Sequence, residues 1–140
     1  MKNEVEMNRD HFSLGMKTRR KVLGDEWVDR SVRNTTPFTA EFQNLITRYA
    51  WDEIWNRKGL PHRVRRMLVI ATMVALGRWE EYSLHVRAAL QSGALSEADL
   101  KEILLQSAIY CGVPAANTAF KEAQAVMEGL AAAKSRKKSK

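Results

Sequence analysis

The 140 residues carry 23 Lys and Arg against 16 Asp and Glu, a formal net charge of +7, with 45% hydrophobic and 28% charged residues. That is the composition of one soluble globular domain with a single core, and the longest apolar run, residues 67–76 with Thr72 in it, is too short to cross a bilayer. The basic excess does not imply nucleic acid, because five of the positive charges (Lys134, Arg136, Lys137, Lys138, Lys140) crowd the last seven residues and leave 18 basic against 16 acidic residues elsewhere.

The N-terminus lacks the apolar segment of a secretory signal, so the cytoplasm is the expected location. The first 36 residues have weak periodicity and read as an arm with one short helix over residues 16–23. Thr36-Pro37 has the form of an N-cap followed by proline at the first helical position. Phe42, Leu45, Ile46 and Tyr49 then recur at helical spacing toward Trp55, and Gly59-Leu60-Pro61 stops them. A second helix spans residues 62–76, with Val64, Met67, Leu68, Ala71, Val74 and Ala75 on one stripe; Gly77 ends or bends it. The next helix starts at Arg78, passes His85 and stops near Gly93.

Ser96-Glu97-Ala98-Asp99 is a capping-box start, leading into Leu100, Ile103, Leu104, Ala108 and Cys111. Gly112-Val113-Pro114 breaks the chain before a last helix over residues 115–133, and the basic tail reads as disordered. These elements predict an all-α protein of five to six helices: an arm (1–35), a helical domain (36–133) and a tail (134–140). Val69, Ile70, Leu105 and Ile109 add second apolar stripes to their helices, which predicts burial against another copy of the chain.

Arg78, Glu81 and His85 are three and four residues apart, so one helix face stacks a guanidinium, a carboxylate and an imidazole. An acid, a base and a fixed cation on one rigid element can move protons on an anionic substrate. Cys111, the only cysteine, excludes an internal disulfide and a CxxC redox motif. With His11, His62 and His85 scattered, no metal site is expected. Glu53 and Arg57 read as a surface i,i+4 pair, and Cys111 as a small buried hydrophobe.

Several blocks in one order carry a resemblance over residues 17–130. They are Arg19-Arg20-Lys21-Val22-Leu23-Gly24-Asp25, Thr47-Arg48-Tyr49-Ala50-Trp51, Glu53-Ile54-Trp55, Ala75-Leu76-Gly77-Arg78, Leu84-His85-Val86-Arg87-Ala88-Ala89-Leu90, and Gly112-Val113-Pro114-Ala115-Ala116-Asn117. In these the chain resembles the carboxymuconolactone decarboxylase family. It departs from the family pattern at Asp52, Pro61-His62, Arg66 and Cys111.

The resemblance implies an alkylhydroperoxidase D-like helical fold assembled as a ring-like homohexamer. Redox members of that superfamily carry CxxC before the histidine; Arg78 and Glu81 fall in those places here, so peroxidase thiol chemistry is absent. The implied reaction is decarboxylation of gamma-carboxymuconolactone to beta-ketoadipate enol-lactone in protocatechuate catabolism. A paralogue acting on another small carboxylated lactone or related acid is the alternative.

The lactone carbonyl accepts the electrons released with carbon dioxide, so no cofactor is expected. The substrate is a small anion, with no nucleic-acid or membrane partner. The implied catalytic residues are His85, as general acid or oxyanion donor, Glu81, which would orient His85 and hold it protonated, and Arg65. Arg63 and Arg78 are further candidates to grip carboxylates, and Trp51, Trp55 and Tyr110 to form an apolar wall.

Overall fold

The structure, a computed structural model, describes residues 9–140; the first eight residues of the expected arm lie outside that range. Among the described residues there are seven α-helices, one π-helical segment and no strand. The all-helical expectation therefore holds, with more helices than the five or six foreseen. The described residues divide into two compact units, 9–60 and 61–140.

In the first unit, α1 (His11–Leu23) starts earlier than the sequence suggested because Asp10 caps it, accepting from Ser13 N at 3.0 Å and from the Ser13 hydroxyl at 2.6 Å. Gly24 then starts a second helix, α2 (Asp25–Arg33). Asp25 and Glu26 in its first turn and Arg30 and Arg33 in its last suit the helix dipole. So the stretch expected to hold one short helix holds two. Thr36-Pro37 does not open the following helix. The Thr36 carbonyl accepts from the amides of Thr39 (3.0 Å) and Ala40 (2.9 Å), making a turn before α3 (Ala40–Ile46).

Helix α3 runs directly into the π-helical segment Thr47–Ile54, where Trp55 N donates to Ala50 O, five residues back, at 3.0 Å. Helix α1 packs closely on this segment. A methyl group at Gly15 would come within 1.9 Å of the Thr47 carbonyl oxygen, so the approach requires glycine.

The second unit comprises α4 (His62–Leu76), α5 (Trp79–Ser92), α6 (Glu97–Tyr110) and α7 (Val113–Lys138). Its core joins Ile70 and Val74 to Tyr82, Val86 and Ala89, to Leu100 and Leu104, and to Ala119, Ala123 and Val126. The Tyr82 hydroxyl donates to Ala119 O at 2.7 Å, satisfying a buried polar group across α5 and α7. On α4 the buried row is Arg66, Ile70 and Val74. Of the stripe foreseen for this helix only Val74 is buried, while Leu68 and Ala75 are exposed. Gly77 ends α4 in the left-handed conformation (φ 66°). The capping box at Ser96 and Asp99 is present with both reciprocal hydrogen bonds.

The basic tail corrects one expectation: instead of being disordered, it continues α7 as far as Lys138. Alanine, lysine and arginine all favour helix, and the basic side chains offset the negative end of the dipole. Among the described residues no helix is long and apolar enough to cross a membrane. Several large apolar side chains are exposed, Phe38 at 94%, Tyr110 at 84% and Ile109 at 79%.

Candidate active site

Arg78 is the N-cap of α5, and Glu81 and His85 follow on successive turns of the helix. Arg78 and Glu81 are exposed and His85 is partly buried. The foreseen face therefore exists, but its electrostatics differ from the expectation. Burial is the largest influence on His85, and the nearby guanidinium of Arg66 adds to it. Together they outweigh the opposing pull of Glu81 and bring the imidazole down to about 4. Glu81 does not hold His85 protonated. At neutral pH the ring is uncharged, with one nitrogen able to donate and the other to accept.

The sequence reading noted Arg66 only as a departure from the family pattern, yet it is the arginine buried beside His85. Its side chain stands one turn before Ile70 on the core-facing row of α4, which packs against the Tyr82, Val86 and Ala89 row of α5. Burial lowers the guanidinium's own pKa. A cation in the phase of an apolar stripe was the signal that could have found it.

The other candidates are distributed as follows. Arg63 is exposed and bonds Asp99 Oδ1 at 2.6 Å, so it fastens the capping residue of α6. Arg65 is half-buried. Tyr110 ends α6 and, with Arg63, Met67, Ile103 and Cys111, lines a cavity of about 480 Å³ whose walls include neither Glu81 nor His85. Trp51 and Trp55 belong to the first unit, where they are buried and stacked with ring centres 5.2 Å apart and planes 27° from parallel.

Asp52, which follows Trp51 in the chain, centres a network the sequence did not reveal. Asp52 is fully buried. It accepts from Arg9 Nε (3.0 Å), from Asn56 Nδ2 (2.8 Å) and from the His11 ring at Nδ1 (2.7 Å). Burial pushes its carboxyl upward, but the hydrogen bonds from Arg9, Asn56 and His11 prevail and hold it at about 2. Among the described residues no group of three or more His, Cys, Asp or Glu side chains is arranged to hold a metal ion.

A sequence profile of the carboxymuconolactone decarboxylase family matches residues 40–125. The chain is 39% identical over 123 residues to 4-carboxymuconolactone decarboxylase of Acinetobacter baylyi, covering 88% of this chain and 91% of the relative. It is 40% identical over 109 residues to nitrosuccinic acid decarboxylase of Metarhizium robertsii, covering 78% and 76%. A third relative, 4-carboxymuconolactone decarboxylase of Pseudomonas putida, is 45% identical over 42 residues, which are 30% of this chain and 88% of that sequence.

Proposed function

The chain belongs to the carboxymuconolactone decarboxylase family, and from that membership we propose that it is a carboxy-lyase converting gamma-carboxymuconolactone to beta-ketoadipate enol-lactone and carbon dioxide without a cofactor. The observation that carries this reading is the 39% identity to a 4-carboxymuconolactone decarboxylase across 88% of the chain.

In this reaction the C–C bond to the departing carboxylate breaks, and its electron pair moves through the ring double bond into the lactone carbonyl. Carbon dioxide leaves, and the dienolate takes a proton at the alpha carbon. The protein must anchor the remaining carboxylate, donate to the oxygen that becomes negative, and deliver that proton.

His85 takes the second role as a neutral imidazole N–H donor. The negative charge developing on the dienolate raises the basicity of the ring, which takes up a proton from solvent, passes it to the alpha carbon and returns to its neutral form. Arg66 supplies a fixed positive charge beside it, and Arg65 and Arg78 are the further candidates for carboxylate binding. Glu81 opposes the effects of burial and Arg66 on His85 and keeps the ring from losing still more basicity.

The same reading takes the alkylhydroperoxidase D-like fold and a homohexamer working in the cytoplasm as its setting. Exposed Phe38, Ile109 and Tyr110 support an assembly, since side chains of this size gain from being covered.

A second reading, a paralogue acting on another small acid, draws on the 40% identity, over 78% of the chain, to a relative named for nitrosuccinic acid. Enzymatically generated gamma-carboxymuconolactone and nitrosuccinate, each assayed by carbon dioxide release with a chelator present, separate the two. Preference for the lactone supports the first reading, and turnover of nitrosuccinate alone replaces it with the second.

A further inference from the structure

The first unit contains a buried positive charge whose hydrogen-bond and ring partners among the described residues are all neutral. Arg19 on α1 is 3% exposed. Its Nη2 donates to Ser31 Oγ on α2 at 3.1 Å and to Gln43 Oε1 on α3 at 3.0 Å. Its guanidinium carbon lies 5.5 Å from the ring centre of Trp27. Nε is buried without a hydrogen bond, and among the described residues no carboxylate stands at ion-pair distance. Burial lowers the pKa of Arg19, but an arginine stays charged in a protein, and a charge removed from water is costly to leave without an opposite charge.

All three neutral partners of Arg19 line the same pocket. Trp27, Ser31 and Gln43 form its walls together with Arg30, Asn34 and Thr39, and among the described residues no acidic side chain takes part. The open volume is about 290 Å³, enough for a small organic or inorganic anion. The direction of the hydrogen bonds matters. Because Ser31 and Gln43 accept from Arg19, the serine O–H and the glutamine amide N–H groups are left to donate elsewhere. A donor whose own acceptor atom is polarised by a guanidinium is strengthened. Arg30 adds a second cation at the wall.

We propose that this pocket binds a small oxyanion, a carboxylate or a phosphate, with Arg30, Ser31 and Gln43 donating to it and Arg19 supplying the buried charge behind them. The site uses none of the residues assigned to decarboxylation and stands whether or not that activity is correct.

Isothermal titration of the full-length protein with sodium succinate and with inorganic phosphate, against sodium chloride at equal ionic strength, tests it. Saturable binding of either anion beyond chloride is expected, and the tighter of the two identifies organic acid or phosphate as the natural class. Arg30→Glu should weaken that binding at least tenfold, and Arg19→Met should abolish it. His85→Ala should leave it unchanged, which separates this pocket from any anion held near His85. Arg30 is exposed, so the charge reversal remains informative if Arg19→Met does not fold. Equal binding of all three salts, loss of binding in His85→Ala, or wild-type affinity in Arg30→Glu overturns the proposal.

Discussion

Burial and the neighbouring guanidinium of Arg66 together hold the His85 imidazole at about 4. The pair sits where two helical rows meet, one carrying Arg66, Ile70 and Val74 and the other Tyr82, Val86 and Ala89. A neutral histidine beside a fixed cation is suited to donating toward an oxygen that gains negative charge.

The first prediction concerns the pH profile. With His85 neutral across the physiological range, kcat/KM for the lactone should show no limb near 6.5, where an ordinary histidine titrates. A limb from this group is expected only near 4. Initial rates in constant-ionic-strength buffers from pH 4 to 8 check this.

Replacing the cation should shift that limb. Arg66→Met removes one of the two influences that lower His85, so the ring should titrate closer to 6.5, as read by the imidazole proton shifts in nuclear magnetic resonance. Loss of a charge-assisted contact worth about 1.5–3 kcal/mol to an anionic substrate should lower kcat/KM roughly 10- to 100-fold.

Glu81→Gln should move the ring the other way. Glu81 is the influence that raises His85, so its removal takes the titration further down. This variant should lose less activity than His85→Ala, because it changes the donor's environment and keeps the donor. Equal losses in the two variants contradict this division of roles.

Two acid-sensitive windows in stability are expected. The folded state holds His85 at about 4 against an unfolded value near 6.5, so the unfolded chain binds that proton first. Its contribution to stability is therefore intact above about 6.5 and falls as pH drops toward 4. Asp52, held at about 2 against an ordinary 3.8, contributes fully above 3.8 and loses that contribution as pH falls toward 2. Urea midpoints measured from pH 8 to 2 should decline in both windows, with His85→Leu flattening the upper one and Asp52→Asn the lower.

How much the sequence revealed depended on how local each signal was. The capping box at Ser96 and Asp99 was legible because both partners lie within four residues. The stacking of Glu81 below His85 was legible for the same reason, but the charge of the ring was not. It depends on burial and on Arg66, an arginine nineteen positions earlier on another helix.

The phase of α4 was misread because Arg66 occupies a core-facing position, which breaks the apolar pattern that defines a stripe. The Asp52 network escaped notice because its partners Arg9 and His11 lie more than forty residues away. The helical tail was missed because a run of basic residues reads equally as solvated coil or as the well-formed end of a helix.

The most direct measurement of the central claim is the steady-state rate of carbon dioxide release from gamma-carboxymuconolactone by the wild-type protein and by His85→Ala, each first shown to keep the same assembly by light scattering. The account predicts rapid turnover by the wild type and a loss of at least 100-fold in kcat for the variant, the scale of a lost proton donor or oxyanion contact. Near-wild-type turnover by an intact His85→Ala assembly contradicts it.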